Sequence, residues 1–193
     1  NLASLAGCLI AFIDKDSDKA NELATEVLDN FSKETNQRIL DLMCEKIGLN
    51  GGKKENQTLL RNLLKIMMDN EADYTITFRN LSKVLFEDSD EFFNQFSEKK
   101  EINAWLNNWE QALKKEHKDL SNLTENLNRI NPVYIPRNHQ VQLAIDLAYE
   151  NDFSKMLEMI EVFKNPFKEV PEHVSYSQAP LEKEKIRRTF CGT

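Results

Sequence analysis

Apolar positions along the chain recur almost everywhere with the 3.6-residue period of an α-helix, and nowhere with the alternation of a half-buried strand. Leu2, Leu5, Ala6, Leu9, Ile10 and Ile13 have the spacing of a core-facing helix. Asp16 or Ser17 can cap the next one, which carries Leu23, Val27, Leu28 and Phe31 on one stripe. That helix continues, or breaks near Ser32, into Ile39, Leu40, Met43, Cys44 and Ile47, and Gly48 is its expected stop. Asn50 to Lys54 is the most loop-like stretch; its two glycines lack the spacing of a phosphate-binding loop.

A strong helix runs from Asn56 to about Asn70, with Leu59, Leu60, Leu63, Leu64, Met67 and Met68 expected to fill the core. Asp73 and Thr75 can cap a shorter one bearing Phe78, Leu81, Val84 and Leu85. Asp88, Ser89 and Asp90 open a turn with Phe92, Phe93 and Phe96. Ser97 then starts a long helix with Ile102, Trp105, Leu106, Trp109 and Leu113. Leu120, Leu123, Leu127 and Ile130 mark a further helix, ended by Asn131-Pro132 because a residue before proline is pushed out of the α region. The two prolines of Pro132-Val-Tyr-Ile-Pro136 keep that stretch extended. Helix resumes near Arg137 with Val141, Ala144, Ile145 and Ala148. It restarts after Asp152 with Phe153, Met156, Leu157, Ile160 and Phe163, and ends at Asn165-Pro166. Residues 166–193 hold three prolines and no sustained apolar period, which predicts a surface tail with one short helix near 181–188. The fold class is all-α, with a helical body over 1–165 and a tail over 166–193.

Composition narrows the functions. Of 193 residues, 25 are Lys or Arg and 32 Asp or Glu, a net charge of −7 that leaves no basic face for a nucleic-acid backbone. No apolar run approaches the roughly 18 residues that a membrane span needs, so neither a nucleic-acid nor a membrane partner is expected. Three well-separated cysteines argue against a disulfide framework. Cys8 and Cys44 lie in apolar helical patterns and read as small core residues, whereas Cys191 stands near the carboxyl end. The chain opens inside an apolar helix, as expected of the C-terminal piece of a larger protein.

Candidate chemistry is sparse. His117, His139 and His173 lack the spacing of a zinc site, and no GxSxG elbow occurs. Asp152-Phe-Ser154 reads as a helix cap rather than a magnesium ligand. The densest set of directional donors is Arg129-Ile-Asn-Pro-Val-Tyr-Ile-Pro-Arg-Asn-His139. It reads either as an anion or nucleotide contact through Arg129 or Arg137, or as side chains that satisfy a buried non-helical backbone.

Within that cluster, Asn131-Pro132-x-Tyr134-x-x-Arg137-Asn138 before a helix resembles an element of the selenoprotein O family of protein adenylyltransferases. Asn1-Leu2-x-x-Leu5-Ala6, Lys46-Ile-Gly48-Leu49, Asp73-Tyr74-Thr75-x-x-Phe78-Arg79-x-Leu81, Asn165-Pro166-Phe167 and Phe190-Cys191-Gly192-Thr193 are similar to further family elements in the same order. The resemblance implies the helical C-lobe and C-terminal extension of a protein-kinase-like (pseudokinase) fold. It implies transfer of AMP from ATP, with magnesium or manganese, to Ser, Thr or Tyr hydroxyls of protein substrates. The family's nucleotide- and metal-binding residues match no position here. This piece is therefore expected to hold no catalytic, cofactor or metal residue, to bind no ATP alone, and to partner the N-terminal catalytic part of the same protein. Asp73, Tyr74, Arg79, Asn131, Pro132, Tyr134, Arg137 and Asn138 are expected to be structural. Cys191, at the position of the family's terminal cysteine or selenocysteine, would by the same resemblance form a redox-active disulfide with the upstream part. The location implied is cytoplasmic in a bacterium and mitochondrial in a eukaryote. A reading from another class is an autonomous helical interaction module that binds a partner helix through Phe92/Phe93/Phe96 and Trp105/Trp109.

Overall fold

The computed structural model describes residues 1–87, 89–117 and 119–185. Every regular element among them is helical: α1 (Leu2–Ile13), α2 (Ser17–Glu45), α3 (Lys54–Asp69), α4 (Tyr74–Val84), α5 (Asp90–Phe93), α6 (Lys99–Glu116), α7 (Leu123–Ile130), α8 (Asn138–Tyr149) and α9 (Ser154–Phe163), followed by 3₁₀ turns at Pro171–Tyr176 and Glu182–Glu184. No helix among the described residues is long and apolar enough to cross a membrane. The chain divides into two compact units, Asn1–Met43 and Cys44–Thr193.

The first unit contains α1 and most of α2. Asp16 caps α2, its Oδ1 accepting from Asp18 N (2.9 Å) and Lys19 N (3.3 Å). No break occurs near Ser32; α2 runs unbroken to Glu45. The expected core role of α1 does not hold among the described residues. None of its twelve residues is buried, and Leu2, Leu5, Leu9, Phe12 and Ile13 are all exposed. Cys8, read as a core residue, is exposed as well.

In the second unit α3 packs on α6, α4 on both α5 and α7, and α8 on α9. Trp109 and Trp105 stack with centroids 5.4 Å apart, and each buried indole donates to a main-chain carbonyl: Trp109 Nε1 to Ile47 (2.7 Å) and Trp105 Nε1 to Leu59 (2.8 Å). Phe92 and Phe96 are buried too and Phe93 is half-buried, so most of the aromatic surface assigned to a helix-binding module is turned inward. Met67 is core, as its period predicts, but Met68, one position round the helix, faces solvent.

Gly48 closes the turn after α2 with φ +71°, the left-handed conformation that follows many helices, and Leu49 N reaches back to Cys44 O (3.0 Å). The same role falls to Asn151 between α8 and α9, with φ +62° and Asp152 N bonded to Leu147 O (2.9 Å). Asp152, expected as the cap of α9, stands one residue before it: Phe153 is the N-cap, and Asp152 accepts from Ser154 N (2.9 Å) in the turn that leads into the helix. Ser97 does not begin α6; its N–H and hydroxyl both donate to Asn70 Oδ1, and α6 starts at Lys99. Ser89 caps α5, whereas Asp88 lies outside the described residues. The short helix expected near 181–188 is a 3₁₀ turn at Glu182–Glu184; its remainder and Cys191 lie outside the described residues. The 3₁₀ turn at Pro171–Tyr176 was not expected. Its Tyr176 completes a second core with Val133, Tyr134, Ala144, Met159 and Val162.

Candidate functional site

The extended segment 131–137 and the start of α4 are adjacent in space, and charged and polar side chains tie both to the segment 166–177. Pro132 and Pro136 deny this segment helical hydrogen bonds, so its amides pair elsewhere: Val133 N and Tyr134 N both donate to Pro166 O, at 2.8 and 3.1 Å. Tyr134, buried, turns its hydroxyl to Val170, donating to the carbonyl (3.1 Å) and accepting from the amide (2.9 Å). Asn131, also buried, donates from Nδ2 to Lys46 O (2.9 Å) and so ties this segment to the turn after α2.

Two arginines complete the clasp. Arg137 forms a fork with Asp73, Nη1 to Oδ2 at 2.6 Å and Nη2 to Oδ1 at 3.2 Å, and Nη2 also reaches Ser177 O at 3.1 Å. Asp73 simultaneously caps α4 by accepting from Ile76 N (2.9 Å). Burial alone would raise the Asp73 pKa, but the bonds from Arg137 and Ile76 N outweigh it and hold the carboxyl below its ordinary value. Arg79, buried on α4, donates Nη1 to the carbonyls of Asn128 (3.0 Å) and Asn131 (2.9 Å), where α7 ends. Its Nε and Nη2 both reach Glu169 Oε1, at 3.2 and 3.1 Å.

Of the residues singled out in the sequence, Asp73, Arg79, Asn131, Tyr134 and Arg137 therefore meet in one network. Pro132 is half-buried beside them. Tyr74 stands at the rim, its ring 4.6 Å from that of Phe78 with the Lys46 ammonium 5.9 Å away, and Asn138 is exposed at the first position of α8. Arg129 lies apart, paired with Glu125 at 2.6 Å on the exposed side of α7. Both arginines considered as anion contacts are thus turned to carboxylates of this chain. Among the described residues no group of three or more His, Cys, Asp or Glu is placed to hold a metal ion.

Sequence reasoning missed Glu169 and Val170, because a segment without apolar period gives no signal of a partner. It also missed Glu116, which gathers the loop after Gly48 by accepting from Asn50 N (2.9 Å), Asn56 Nδ2 (2.8 Å) and Lys53 Nζ (2.7 Å). Burial opposes its ionisation, and those donors outweigh burial and hold it below the ordinary carboxylate range. The bonded network positions backbone; what it positions is the root of the C-terminal segment.

Residues 1–164 match the family described as Protein adenylyltransferase SelO. The chain belongs to that family, and its relatives define a class of nucleotidyltransferases. It is 37% identical over 194 residues to the Protein nucleotidyltransferase YdiU of Maridesulfovibrio salexigens, covering all of this chain and 39% of that protein. It is 37% identical to the YdiU of Agrobacterium fabrum, covering 40% of it, and 33% identical to that of Nitrosococcus oceani, covering 38% of it. The chain thus spans about two-fifths of the length of the relatives it matches, and it matches their C-terminal part.

Proposed function

We propose that this chain is the C-terminal helical part of a protein adenylyltransferase, and that its helices form the C-lobe side and extension of a protein-kinase-like fold. In the reaction a Ser, Thr or Tyr hydroxyl oxygen bonds to the α-phosphorus of ATP. The bond to pyrophosphate breaks, and the hydroxyl proton leaves to a base. ATP and its magnesium or manganese belong to the upstream part, and no residue of this chain is assigned to them.

The observation that carries this reading is α1. Twelve largely apolar residues form a helix in which none is buried, in a chain that spans two-fifths of its relatives. A helix of that composition is stable when its apolar face is covered, so α1 reads as one face of a larger body. Within that body the clasp of Asp73, Arg79, Asn131, Tyr134 and Arg137 sets where the C-terminal segment leaves the helices. Cys191, beyond that segment, is then a thiol able to exchange with a cysteine of the upstream part. For a bacterial protein the location that follows is the cytoplasm.

The test is AMP transfer from labelled ATP and magnesium. The full-length protein is expected to label itself or an added protein, and the 193-residue chain alone to label nothing. Labelling by the chain alone, or none by the full-length protein, overturns the reading.

A further inference from the structure

The hairpin of α8 and α9 carries a second apolar surface, apart from α1. A groove of about 570 Å³ runs along it, walled by Val141, Ala144, Ile145, Met156, Ile160 and Phe163, with Lys164 the one charged residue in its lining. Around it Tyr149 is 86% exposed, and Phe153, Met156, Leu157 and Ile160 are between 41% and 58% exposed. Helical spacing puts positions 153, 156, 157 and 160 on one face of α9, and 145 and 149 on one face of α8.

At roughly 200 Å² for a large side chain, Ile145, Tyr149, Phe153, Met156, Leu157 and Ile160 leave about 600 Å² of apolar surface open. That is the upper end of what a monomer leaves bare. It also approaches the roughly 800 Å² that one partner contributes to a standard interface. Charge-poor lining is the mark of an interface centre rather than a rim.

The length of the relatives favours one occupant. Three-fifths of their sequence lies outside the region this chain matches. A covalently attached segment acts at an effective concentration on the order of millimolar, which a second copy of the protein does not reach. We infer that the α8–α9 face formed by Ile145, Tyr149, Met156, Leu157 and Ile160 is a seat for the N-terminal three-fifths of the same protein. The inference rests on the reading above that the chain is part of a longer one, and it adds a contact surface that neither the motifs nor α1 indicate.

Methionine oxidation in the full-length protein tests it. Peroxide transfers one oxygen atom to the thioether sulfur and leaves as water, at a rate that follows exposure. Sulfoxide at Met156 is measured by peptide mass spectrometry against a free methionine peptide as fast standard and buried Met67 as slow standard. Met156 is expected to react at least about tenfold slower than the free peptide at every protein concentration, and Ile160→Glu to bring it within about threefold while Met67 stays slow. If Ile160→Glu unfolds the protein, Met67 becomes reactive as well, and the milder Leu157→Ser takes its place. Met156 reacting within about threefold of the free peptide in the unmodified protein overturns the inference. So does protection that disappears on dilution as the mass halves, which is the result for a second copy. The readout is independent of AMP transfer, so failure of the docking inference and failure of the adenylyltransferase reading are separate results.

Discussion

Tyr134 and Val170, thirty-six positions apart, exchange two hydrogen bonds through a single phenolic hydroxyl, which donates to the Val170 carbonyl and accepts from its amide. A main-chain pair of this kind would ordinarily be satisfied by a neighbouring strand or helix turn. Here one side chain does it, and the ring above it is buried in the second core.

Tyr134→Phe keeps that ring and strands both polar groups of Val170. A loss of about 1–3 kcal/mol is expected, the cost of leaving part-buried partners unpaired. Denaturant unfolding measures it. Hydrogen exchange should place the increased opening in residues 166–177 while the amides of α3 and α6 stay protected.

The Asp73–Arg137 fork gives a pH dependence with a definite sign. The folded-state pKa of Asp73 lies below its unfolded value. The unfolded chain therefore binds the proton more readily, and the stabilisation is present at neutral pH, full above the unfolded pKa near 4. It is lost as the pH falls through the folded value. Asp73→Asn should flatten this acid limb of the unfolding free energy against pH. Arg137→Ala leaves the carboxylate without its fork and is expected to cost about 3–5 kcal/mol; a cost below one would show that the pair contributes little.

Gly48→Ala combines two penalties. An L-residue at φ +71° is strained by about 1–2 kcal/mol. The added Cβ would also stand 2.9 Å from Leu123 Cδ1 and 3.3 Å from Leu113 Cδ2. A drop in melting temperature of several degrees is expected, larger than for Gly52→Ala, whose Cβ would meet no carbon side chain.

Met67 and Met68 separate core from surface at adjacent positions. Met67→Ala should cost about 2–5 kcal/mol. Met68→Ala should stay within about 0.5 kcal/mol. Equal effects would contradict the orientation of α3.

Much of the fold was legible in the chain because helices are written locally. The 3.6 period located α3, α4, α6, α8 and α9, the Asn131-Pro132 and Asn165-Pro166 pairs marked real helix ends, and Asp73 does cap α4. The site was legible only on one side. The dense donors of 129–139 announced that something there needed satisfying, whereas Glu169 and Val170 sit in a stretch whose composition says only that it is not a helix.

By itself, then, the sequence determined an all-helical chain, most of its element boundaries and its family, since local periodicity, capping and ordered motifs are all properties of neighbouring residues. Tertiary structure decided which apolar stripes are covered. It buried Met67 and left Met68, Cys8 and Leu2, Leu5, Leu9 and Phe12 of α1 exposed, turned Phe92, Trp105 and Trp109 inward, and joined Asp73 to Arg137 and Tyr134 to Val170. A hydrophobic stripe states that a residue can be buried; only the presence of a second surface at contact distance decides that it is.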